Sequence, residues 1–77
     1  MPTFNFRERS IKDYDKAIEL DPNDAAAYYN RGHSYSDLGQ YQRAIEDFDK
    51  AIELDPNDAE ARTLRQRALR ALEESTK

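Results

Sequence analysis

The chain has 77 residues, 38% hydrophobic and 36% charged, enough for one small domain and too few for a deep core. Its net charge of −4 excludes a general binder of nucleic acid or anionic membrane, and the absence of cysteine excludes disulfide frameworks and thiolate metal sites. The opening MPTFNFRERS lacks a signal peptide's apolar core, and no apolar run approaches the roughly 20 residues of a membrane span, so a soluble, cytoplasmic protein is the expectation.

A first helix is expected over residues 6–20, with Ile11, Tyr14, Ala17 and Ile18 on one apolar stripe. Pro22 stops it, because proline disfavours helix at the residue before it. Asp24 then stands where a side-chain oxygen can cap the next helix. That second helix is expected over 25–38. Tyr28, Gly32 and Tyr35 follow one another at intervals of four and three, leaving a notch between two aromatics. Glycine inside a helix costs about 1 kcal/mol against alanine, which implies close approach by a neighbouring helix, with Ala44 as the small residue facing the notch. His33 and Asp37 stand at i, i+4, a surface contact rather than a metal site, since a catalytic metal takes about three protein ligands.

Gly39 can adopt the left-handed conformation that closes a helix. A third helix is expected over 41–54, carrying Ile45, Phe48, Ala51 and Ile52 on one side and the acidic Glu46, Asp47, Asp49 and Glu53 on a solvated outer face. Pro56 and Asp58 repeat the stop and cap of Pro22 and Asp24. The last helix, over 59–74, has an apolar stripe of Ala61, Leu64, Ala68, Leu69 and Leu72. Its other sides carry Arg62, Arg65, Gln66, Arg67 and Arg70. Residues 59–77 sum to +2 on a body of −6, which speaks against phosphate binding. No stretch alternates with the period of a strand, so the fold is expected to be all-α.

The phrase DYDKAIELDPNDA at residues 13–25 returns as DFDKAIELDPNDA at 47–59, with only Tyr14 changed to Phe48. A fixed offset of 34, a helix–turn–helix unit and the run Tyr28, Gly32, Tyr35, Ala44, Phe48, Ala51, Pro56 resemble the tetratricopeptide repeat family. Tyr28 stands where that family prefers Trp, and Arg31 where it prefers Leu. The resemblance implies an antiparallel helix–turn–helix solenoid of about four helices forming one domain over 1–77. Residues 6–24 would be the second half of a unit, 25–58 a complete unit and 59–74 a capping helix. In the last helix Arg62 replaces the aromatic of Tyr28 and Gln66 the notch of Gly32, consistent with a solvated end. The near identity of the two phrases points to recent duplication, consensus engineering or an excised fragment.

The same resemblance implies a non-catalytic protein–protein interaction module that holds a peptide or partner helix in a concave groove. Carried over by position, the groove presents Tyr29, Asn30, His33 and Asp37, then Glu60, Thr63, Arg67 and Arg70. Arg67 and Arg70 can pair with acidic groups. The family's clamp for a C-terminal carboxylate is not expected, because Glu60 and Leu64 stand where it needs Lys and Arg. The alternative is a structural unit that forms a homodimer or higher homo-oligomer through an open N-terminal edge, Tyr14 and Ala17, which Phe4 and Phe6 would otherwise cover. LDPND lacks the glycine and ligand spacing of a calcium loop, and neither a phosphate loop nor a nucleophile–base arrangement is present. No enzyme activity, metal, cofactor or nucleic-acid partner is expected.

Overall fold

A computed structural model describes residues 6–76, with side-chain surroundings from residue 8 onward. Four helices follow one another: α1 Phe6–Leu20, α2 Ala25–Asp37, α3 Tyr41–Leu54 and α4 Ala59–Ser75. There is no strand among the described residues, and none of their helices is long and apolar enough to cross a membrane. The expected bounds shift only at two ends, where α2 stops one residue earlier and α4 runs one residue further.

The chemistry that ends each helix is local. Asp21 Oδ1 accepts from the Asn23 backbone N–H at 3.1 Å, and Asp55 Oδ1 from Asn57 at 3.3 Å. These are two copies of one side-chain turn around the prolines. Asp24 then accepts from the Ala27 N–H at 3.2 Å and Asp58 from Ala61 at 3.0 Å, capping α2 and α4. After α2 the chain closes differently. Gly39 takes φ +77°, its N–H donates to Ser36, and the Gln40 N–H donates to Tyr35. That pair of bonds satisfies carbonyls the helix leaves open.

Short turns reverse the chain, so consecutive helices pack antiparallel: α1 on α2, α2 on α3 and α3 on α4, with α2 also touching α4. The core lies in the α2–α3–α4 part. Ala44, Ile45, Phe48 and Ala68 are buried, and Tyr29, Tyr35, Tyr41, Leu64, Leu69 and Leu72 close around them. Among its described residues α1 has none that is fully buried.

The notch at Gly32 is real, but its occupant is not the expected one. A Cβ on Gly32 would lie 2.9 Å from Phe48 Cε1 and 3.1 Å from Asp47 Cβ, so these two residues, not Ala44, fill it. Phe48 is wholly buried and presses its ring against the bare backbone. The expected solvated acidic face is corrected too. Glu46, Asp49 and Glu53 are exposed, whereas Asp47 is 5% exposed. A buried carboxylate needs a partner, and Arg31 supplies it.

Candidate functional site

Arg31 links three helices. Its Nε and Nη2 donate to the two oxygens of Asp47 at 2.9 and 2.7 Å, a bidentate pair, and its Nη1 donates to Asp15 Oδ1 at 2.8 Å. The guanidinium carbon also sits 5.7 Å from the Tyr28 ring centre and 5.9 Å from that of Tyr35. The Asp47 hydrogen bond pushes the Arg31 pKa up, against a smaller opposing effect of burial. One period later Arg65 donates to Asp49, the counterpart of Asp15. Another contact recurs as well. Tyr28 donates its hydroxyl to the Pro22 carbonyl at 3.0 Å, and Arg62, its counterpart on α4, donates to the Pro56 carbonyl. The side chain changed and the bond to the turn stayed.

These ties fix the backs of α2 and α4 and leave another side of both helices open. Two hollows lie along that side. One, of about 290 Å³, is lined by Tyr29, Ala59, Glu60, Thr63, Leu64 and Arg67. The second, of about 250 Å³, has an apolar wall of Phe48, Leu64, Ala68 and Ala71 and a polar rim that includes His33, Asp37 and Arg67. A third, of about 350 Å³, lies along α4 between Arg62, Thr63, Gln66, Arg67 and Arg70. Arg67 borders all three.

Of the residues expected to line a groove, Tyr29, His33, Asp37, Glu60, Thr63, Arg67 and Arg70 all border these hollows. Asn30 is half-buried and borders none of them. The carboxylates on this side are engaged. Glu60 accepts from the Tyr29 hydroxyl at 3.1 Å, and Asp37 Oδ2 lies 3.4 Å from His33 Nδ1. Burial first, then the hydrogen bond to Glu60, raises the Tyr29 pKa, since a phenolate there would lose hydration and face a carboxylate. Arg67 and Arg70 are exposed and have no carboxylate partner among the described residues. No group of three metal-ligating side chains occurs among the described residues.

At the other end of the molecule Tyr14 and Ala17 are half-buried. Phe4 lies outside the described residues, as does the side chain of Phe6, and with them the expected cover over this edge. Leu20, which the sequence marked only as a helix end, is 75% exposed.

Two family models match. The tetratricopeptide repeat model matches residues 25–58, and a second model of the same repeat matches 8–39, a frame that begins in α1 and ends beyond α2. Among curated proteins none matches the sequence. The matched frames, the recurring turn, and the arginine and carboxylate pairs spaced by the same offset agree. The chain belongs to the tetratricopeptide repeat family.

Proposed function

We propose that the protein is a non-catalytic interaction module that holds an extended peptide or a partner helix along the open side of α2 and α4. Repeats of this family generally mediate protein–protein interaction. In this reading residues 6–24 are a half-unit, 25–58 a complete unit, and α4 a cap whose open side completes the groove. The observation that carries it is the run of adjoining hollows with Arg67 on every rim and half-buried Leu64 and Ala71 as apolar wall. Apolar walls with a few placed polar groups are what a peptide side chain and backbone require.

The test is peptide display on the immobilised chain, followed by titration of enriched peptides against the parent and the variants Tyr29→Ala and Arg67→Ala. A groove ligand should lose about tenfold in affinity with each variant. Enriched peptides indifferent to both substitutions would sink the reading.

Self-association through α1 is a second reading with its own support. Ser10, Ile11, Asp13 and Tyr14 are half-buried or exposed, whereas their counterparts Ala44, Ile45, Asp47 and Phe48 are buried. The same face is thus covered in one occurrence and open in the other, and an open apolar stripe invites a second copy. A mass that rises with concentration and falls back with Tyr14→Ser supports this reading. A constant 9.0 kDa removes it.

A further inference from the structure

The phrase Glu-Leu-Asp-Pro occurs at residues 19–22 and again at 53–56, yet its leucine has two fates. Leu54 is half-buried, while Leu20 stands 75% exposed at the last position of α1. Exposed carboxylates flank it. Glu19 has Lys16 3.8 Å away, and Asp21 uses Oδ1 for the Asn23 N–H. The corner is a protruding apolar side chain between two negative charges.

The open side of α4 is its chemical complement. The hollow of about 250 Å³ presents Leu64 and Ala71 as its apolar wall, over the buried Phe48 and Ala68. Arg67 at its rim and Arg70 one turn further have no carboxylate partner among the described residues. Arg62 and Arg65 are already committed, to the Pro56 carbonyl and to Asp49. Unpaired positive charge therefore sits beside a partly apolar hollow, and two exposed carboxylates, one of them 3.8 Å from Lys16, sit beside an exposed leucine in one 77-residue chain.

We propose that the groove of one copy receives the Glu19–Leu20–Asp21 corner of a second copy, with Leu20 in the hollow and the two carboxylates facing Arg67 and Arg70. The proposal rests on the α2–α4 groove being a binding site and names its occupant. It differs from association through the Tyr14 stripe, because it joins an end of α1 to α4 rather than α1 to α1. Each copy carries one corner and one groove, so the contact closes as a two-fold pair or continues head to tail.

The test is sedimentation velocity over a wide concentration range on the full chain, with Leu20→Ser, Glu19→Arg, Arg67→Glu and the double variant Glu19→Arg/Arg67→Glu. Leu20 and Glu19 are exposed, so their substitution leaves the fold intact, which circular dichroism verifies. Association should weaken about tenfold or more with Leu20→Ser and with each single charge reversal, fall with added salt, and return in the double variant. A labelled peptide spanning residues 18–23 should bind the parent and not Arg67→Glu. A mass constant at all concentrations overturns the proposal, as does association that survives Leu20→Ser and is lost in Tyr14→Ser. If display-selected peptides still depend on Tyr29 and Arg67 in either case, the groove reading stands and only its occupant is wrong.

Discussion

Arg31 and Arg65, one period apart, each pair with an aspartate at a different depth, which lets burial decide the energetic weight of each pair. Asp47 is 6% exposed at its side chain and Arg31 21%, whereas Asp49 and Arg65 are 51% and 37% exposed. Removing one partner of a buried pair strands the other charge, while an exposed pair contributes little after screening and side-chain entropy. Asp47→Ala should therefore cost about 2–4 kcal/mol and Asp49→Ala less than about 1 kcal/mol, both measured by urea unfolding. Equal losses would show that burial is not what distinguishes them. Neither role was legible from composition, because Asp47 sits in the acidic run Glu46, Asp47, Asp49, Glu53, and Arg31 reads simply as a departure from the family's leucine. The available signal was spacing. Asp15 and Asp47 stand 16 residues either side of Arg31, and Asp49 stands 16 before Arg65, a relation visible only once the repeat period is taken as a spatial ruler.

Between elements, Gly32 sets how closely α2 and α3 approach. Alanine there gains about 1 kcal/mol of helix propensity, but its methyl would fall 2.9 Å from Phe48 Cε1 and 3.0 Å from Cδ1. The ring is 0% exposed, so it must shift among packed neighbours to make room. Overpacking of this kind costs about 1–3 kcal/mol, so Gly32→Ala should destabilise on balance. Phe48→Leu, itself a cavity-forming change, should reduce the penalty of Gly32→Ala when the two are combined. A rise in melting temperature for Gly32→Ala alone would refute the close approach. The helix ends at the two proline turns were legible, because the stop and cap lie within Asp21–Asp24 and again within Asp55–Asp58, while the ends of α2 and α4 differ by one residue from the expected ones. The partner of the notch was not. Ala44 and Phe48 are one turn apart on the same face of α3, and sequence spacing fixes the face without fixing the height at which two helices cross.

Across the whole molecule the helices are stacked in a slab 15 Å thin, so each is held chiefly by the helices next to it in the stack. α3 is held on both sides, by α2 and α4, and buries five residues. Among the described residues α1 packs on α2, where Arg31 donates to Asp15. In a stack with nearest-neighbour interfaces the element with one interface opens first. Native-state hydrogen exchange should thus show the α1 amides opening at least about 1 kcal/mol below those of α3, with a smaller denaturant slope. Asp15→Ala should widen that gap by loosening α1 while leaving α3 unchanged. Identical protection and slope in both helices would mean that the chain opens as one unit and that the end of the stack is no weaker than its middle. The same measurement separates the two modes of self-association, because a partner stabilises what it covers in proportion to occupancy. Raising the concentration should slow exchange around residues 17–21 and across α4 if the Leu20 corner docks in the groove. If the Tyr14 stripe meets its own copy instead, α1 gains protection along its length and α4 gains none.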